Sequence, residues 1–242
     1  VCYSDDAHPP FPPVRGGSAS GHDLTLKSAD GTEFMAYSSR ASHPTGTGVV
    51  ILPDVRGLHA FYKELADRFA EAGFDTVATD YFARTAETDD RSEAFAYRPH
   101  VDATTQPQIA ADTAAAIAYL QAPEGGSVKR VYTVGFCFGG STSWRQSAAQ
   151  PWLAGAIGFY GRPERARDVI GEMKAPLLVL VAGEDFTPVE EFEKFDGELT
   201  AAGVKHEMVI YEGAPHSFFD RTWVEHADAS ADAWRRMLAF MS

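Results

Sequence analysis

The chain has 242 residues, 45% of them hydrophobic and 23% charged, with a formal net charge of −13. That suits one globular α/β domain with a full core and excludes a disulfide framework, since Cys2 and Cys137 are the only cysteines. An acidic surface repels nucleic acid and anionic membranes, so an anionic substrate would need local arginines. No run reads as a membrane span or a signal-peptide core, which makes a reducing cytoplasm the expected compartment.

Residues 1–21 read as an extended tail around Pro9-Pro10-Phe11-Pro12-Pro13, with no chemistry assigned to it or to Cys2. Residues 22–242 read as a single domain. Leu24–Lys27 and Thr32–Tyr37 flank Asp30-Gly31, a hairpin signature. Gly48–Leu52 is continuously apolar and predicts a central parallel strand ending in the loop Pro53-Asp54-Val55-Arg56-Gly57. Phe61, Leu65 and Phe69 recur at spacing four, predicting a helix that stops at Gly73.

Thr76–Thr79 predicts the next strand, and Arg84 follows it. Residues 85–105 are polar and read as a solvated loop with a short helix rather than a lid over the site. Ile109, Thr113, Ile117 and Leu120 mark a long helix. Val131–Val134 predicts a buried strand, and residues 141–149 a helix. Further strands are predicted over 153–160, 176–183 and 206–211, with helices over 188–202 and 225–241. Strands alternate with helices throughout, so the sheet is expected to be mostly parallel with helices on both faces. Such sheets bind ligands at the carboxyl ends of their strands. Asp54, Arg84, Cys137, Asp185 and His216 all fall there.

Gly135-Phe136-Cys137-Phe138-Gly139-Gly140 lies between a strand and a helix. It is the G-x-S-x-G nucleophile turn with cysteine in place of serine. The glycines leave room for a sharp turn, and the helix that follows presents N–H groups to developing negative charge. Cys137, Asp185 and His216 come in the order nucleophile, acid, base. His216 would take the thiol proton and later serve the deacylating water. Asp185, preferred over Glu184, would fix the imidazole tautomer. The backbone N–H of Phe138 and one from the Asp54–Val55 turn would form an oxyanion hole.

These segments, with Ala182-Gly183-Glu184-Asp185 and Pro215-His216-Ser217-Phe218, resemble the dienelactone hydrolase (carboxymethylenebutenolidase) family from about residue 22 onward. The resemblance implies an α/β-hydrolase fold and hydrolysis of an unsaturated lactone bearing a carboxylate, in degradation of aromatic compounds, with no metal and no organic cofactor. It implies that Asp54, one methylene shorter than the family glutamate, exchanges the thiol proton; a loop-capping role is the other reading of this residue. It implies that Arg84 holds the substrate carboxylate. Arg221 lies one residue beyond the place of the family's second arginine, behind Phe218-Phe219-Asp220. Arg56 matches no family position. A general carboxylesterase or thioesterase is the alternative within enzymes, and a catalytically silent binding protein the alternative outside them. The expected partner is a small anionic lactone or ester, and the expected state a monomer.

Overall fold

A computed structural model describes residues 4–14 and 17–242; Cys2 lies outside the described residues. Eight strands form one sheet in the order β1-β2-β4-β3-β5-β6-β7-β8. Here β1 is Ala19–Lys27 and β2 is Glu33–Ala41. The parallel strands are β3 Thr47–Leu52, β4 Asp75–Thr79, β5 Arg130–Phe136, β6 Gly155–Phe159, β7 Leu177–Glu184 and β8 His206–Pro215. The predicted hairpin forms with Leu24 opposite Ala36, and β2 joins the sheet antiparallel to β4. From β4 onward every pairing is parallel. The first strand begins at Ala19, so the extended segment is shorter than the sequence alone suggests.

Among the described residues the α-helices are α1 Ala60–Glu71, α2 Tyr97–Ala103, α3 Gln106–Gln121, α4 Phe138–Ala149 and α5 Val189–Ala201 between strands, and α6 Ala227–Met241 after the last. Alternate strand residues serve opposite faces, the two-residue period of a sheet. Val49, Ile51, Leu178 and Leu180 pack with Phe69 of α1 and Trp234 of α6. Val50 and Leu52 pack with Ile109 and Leu120 of α3. Leu177 and Val179 pack with Trp144 of α4 and Phe195 of α5. With both faces covered, β3, β4 and β6 are buried end to end, which explains the continuous apolar run of β3. Among the described residues no helix is long and apolar enough to cross a membrane.

The polar stretch 85–105 is not simply solvated. Arg91 is buried and grips the carboxylate of Asp80 with two bonds of 2.9 Å. Its guanidinium lies 4.5 Å over the ring of Phe95. A charge paired and stacked in this way ties the segment to the end of β4.

Candidate active site

Strand β5 lies between β3 and β6 and delivers Cys137 directly before α4. Cys137 has φ 56° and ψ −113°, outside the regions a non-glycine residue ordinarily occupies. Such strain costs on the order of 1–3 kcal/mol and persists where surrounding packing enforces it. The enforcing contacts are visible at the glycines. A Cβ on Gly135 would lie 1.9 Å from the Gly139 carbonyl oxygen, and one on Gly139 would lie 2.0 Å from the Leu52 carbonyl oxygen. The turn is thus pressed against the end of β3, which brings the Pro53–Gly57 loop beside the sulfur.

That loop is a tight turn. The Gly57 amide donates to the Asp54 carbonyl at 3.2 Å, and the Arg56 amide to Asp54 Oδ1 at 2.9 Å. Val55 and Phe138 both line the cavity that holds Cys137. Phe138 is the first residue of α4, where a helix leaves its amides without internal partners. Asp54 is fully buried behind the turn and does not line the cavity. Burial pushes the Tyr81 phenol well above its usual range, with Asp54, Asp80 and Cys137 adding to the rise. Asp54 and Cys137 therefore act on the same buried phenol, whose hydroxyl donates to the Pro53 carbonyl at 2.8 Å.

His216 follows β8, and its Nδ1 lies 2.8 and 2.9 Å from the two carboxylate oxygens of Asp185. The carboxylate holds the proton on Nδ1, which makes Nε2 the basic nitrogen of the neutral ring. The Phe186 amide donates to Asp185 Oδ1 at 2.6 Å and orients that acid. Glu184 ends β7 exposed to solvent. The imidazole lies between the rings of Tyr160, 4.8 Å away, and Phe186, 5.3 Å away.

Cys137 and His216 share a cavity of about 300 Å³. Its formally charged lining residues are Arg162, Arg165 and Arg221, and no carboxylate lines it among the described residues. In a chain of net charge −13 this is a local reversal of sign. Ser141 Oγ accepts from the Arg162 amide at 2.6 Å, which ties the Arg162 segment to α4. The Arg165 guanidinium lies 5.2 Å over the Phe138 ring. Arg221 lines the cavity despite its one-residue displacement, because Asp220 turns inward.

Arg84 is the correction. It does not line the cavity. Two of its nitrogens donate to Asp112 at 2.7 Å each, and its Nε donates to Asp30 at 2.9 Å. Asp112 is buried, and holding its charge there requires a counterion. Position past a strand end does not fix the direction of a side chain, and five residues beyond β4 the chain has turned toward α3 and the hairpin.

Several site residues carry little signal in the sequence. Arg162 and Arg165 flank Glu164 in a segment that forms 3₁₀ turns, a mixed-charge pattern that also suits solvent. Asp220 is fully buried, and Tyr160 donates to its Oδ2 at 3.0 Å. Burial pushes this carboxyl up to about 7, and Asp54 adds to the rise. The Arg221 amide, Tyr160 and His216 oppose it. The one available signal was a carboxylate directly after Phe218-Phe219, both fully buried. Among the described residues no group of three or more His, Cys, Asp or Glu is arranged to hold a metal ion.

A family model described as the dienelactone hydrolase family matches residues 34–242. An Escherichia coli protein named "Putative carboxymethylenebutenolidase" is 28% identical over 224 residues, 87% of this chain and 82% of that protein. A crystal structure titled "Putative Dienelactone Hydrolase", from Klebsiella pneumoniae subsp. pneumoniae, superposes with a TM-score of 0.81 at 26% identity, covering 93% of this chain and 98% of that one. A dienelactone hydrolase-like promiscuous phosphotriesterase from metagenomic libraries superposes with a TM-score of 0.72 at 24% identity, covering 92% and 98% of the two chains. The architecture is that of the α/β-hydrolase fold.

Proposed function

The chain belongs to the dienelactone hydrolase family of hydrolases, and we propose that it cleaves a lactone or ester bearing a carboxylate, through a Cys137–His216–Asp185 triad. One observation carries this reading. The nucleophile turn and the Asp185-bound histidine meet in a cavity whose formal charges are all arginines.

Cys137 Sγ attacks the carbonyl carbon while His216 Nε2 takes the thiol proton. The carbonyl electrons move to oxygen, where the Phe138 and Val55 amides stabilise the charge. Collapse breaks the carbon–oxygen bond to the leaving group, which takes its proton from His216. In a lactone the leaving oxygen stays tethered to the acyl chain. Water, deprotonated by His216, attacks the thioester, and Cys137 departs with the carboxylic acid as product. Asp54 closes the Val55 turn, and exchange of the thiol proton with this carboxyl is the role implied for it by the family. Arg221, with Arg162 and Arg165, binds the substrate carboxylate, since a guanidinium matches a carboxylate with two hydrogen bonds.

The test is turnover of an acidic lactone beside a neutral p-nitrophenyl ester and a thioester. Hydrogen bonds to charged groups contribute about 1.5–3 kcal/mol net. Arg221→Ala should therefore lower kcat/KM for the acidic lactone roughly ten- to hundred-fold and leave the neutral ester within about threefold. Equal losses on both would replace the carboxylate specificity with that of a general esterase.

A further inference from the structure

The oxyanion turn is built around a buried cation. Arg56 follows Val55 and is fully buried. Its Nη2 donates to the Arg91 carbonyl at 2.7 Å and to Asp5 Oδ1 at 2.7 Å. Of these partners the Asp5 carboxylate is an anion, and a buried guanidinium needs an anion. Asp5 comes from the segment before β1, 51 residues from Arg56, and not from the sheet that carries the site.

Asp5 is gripped from three sides. Besides Arg56, it accepts from His59 Nε2 at 2.8 Å. The Nδ1 of that ring accepts the Phe61 amide at 3.2 Å, which puts the ring proton on Nε2. The Glu93 amide donates to Asp5 Oδ1 at 3.0 Å. These donors lower the Asp5 carboxyl to about 2, the His59 contact most and Arg56 next. One carboxylate thus joins the turn after β3, the N-terminus of α1 and the 85–105 segment.

The segment bearing Asp5 has its own anchors. Trp223 and Trp234 donate their indole N–H groups to the carbonyls of His8 and Pro10, at 2.7 and 3.1 Å. The Arg68 guanidinium lies 4.1 Å over the Phe11 ring. Pro9, Pro10 and Pro12 are buried. The segment therefore holds its place independently of Arg56.

We propose that Asp5 is a positioning residue for the oxyanion-binding turn: by neutralising Arg56 inside the fold, it fixes the direction of the neighbouring Val55 amide. The link is short. Val55 and Arg56 are the two central residues of the turn closed by Gly57, so rotation of the Arg56 backbone tilts the Val55 peptide. A small misalignment of such a donor can cost about a hundredfold in rate. The proposal rests on Val55 serving as an oxyanion donor, as in the mechanism above.

The experiment measures kcat and KM of the 242-residue chain on an ester that the wild type turns over, with each rate referred to the folded fraction seen by circular dichroism. Asp5→Asn should lower kcat by about tenfold or more with KM changed less than about threefold. Asp5→Glu should recover at least part of the loss, because it restores the anion. Phe11→Ala loosens the segment without touching Arg56 and should leave both constants unchanged while lowering Tm. An unchanged kcat in Asp5→Asn would overturn the proposal, as would equal loss of kcat in Phe11→Ala, which would reduce Asp5 to general anchoring. Absence of turnover in the wild type would instead remove the hydrolase reading on which it rests.

Discussion

At the residue scale, one acidic and one basic group show how burial and partners decide a role. Asp220 is an acid whose pKa is raised from 3.8 to about 7 in the fold. Between those values the native state keeps a proton that the unfolded chain releases. Unfolding free energy therefore falls as pH rises from about 4 to about 7, by roughly 4 kcal/mol at most, and is level above that. The groups facing it are Asp54, Tyr160, His216 and the Arg221 amide. Asp220→Asn should flatten Tm across pH 4–8 relative to the wild type and raise it most at pH 8. Parallel melting curves for the two proteins would show that Asp220 ionises normally. Arg84 presents the opposite case, a cation consumed by structure. Arg84→Ala leaves Asp112 buried without its counterion and should cost about 3 kcal/mol in stability. It should leave kcat/KM for an acidic lactone within about twofold, the reverse of Arg221→Ala. The sequence placed Arg84 at the correct end of the sheet, but side-chain direction depends on what the chain packs against, and here Asp30 and Asp112 claim the guanidinium. The approach to Asp185 was legible in the buried apolar run that opens β7, whereas β8, which leads to His216, mixes apolar with exposed polar residues and was read from its β-branched and aromatic members.

At the element scale, the nucleophile turn depends on contact between one helix and one neighbouring strand. Gly139 faces the Leu52 and Pro53 carbonyls at distances no Cβ tolerates, whereas a Cβ on Gly171 would meet nothing within 4 Å. Gly139→Ala must push α4 away from β3 and so part the Phe138 and Val55 amides proposed to bind the oxyanion. It should lower kcat by at least about a hundredfold, and any folded protein obtained should melt well below the wild type. Gly171→Ala should match the wild type in both measurements. If Gly139→Ala kept full activity, the contact between turn and strand would be incidental. The parallel strands and long helices were readable from β-branched runs and four-residue spacing. The 85–105 segment was not, because its order comes from tertiary contacts such as the buried pair of Arg91 with Asp80, between residues eleven apart in sequence. Arg162 and Arg165 were hidden for a related reason: their segment is held from α4, where the Ser141 hydroxyl accepts the Arg162 amide and Arg145 donates to the Arg165 carbonyl.

At the scale of the whole molecule, a parallel sheet collects strand ends from distant parts of the chain at one edge, and a chain of net charge −13 reserves that edge for arginines. The N-terminal segment adds an anion to the same edge from outside the sheet. The central claim is that Cys137 becomes acylated during turnover. Its most direct test is intact-protein and peptide mass spectrometry of enzyme quenched while turning over a slowly hydrolysed ester. The account predicts one acyl group on Cys137, increased in His216→Ala if residual acylation outruns deacylation, and absent in Cys137→Ala, which should be inactive. An acyl group on Cys2 alone, or a Cys137→Ala protein that retains its activity, would contradict it.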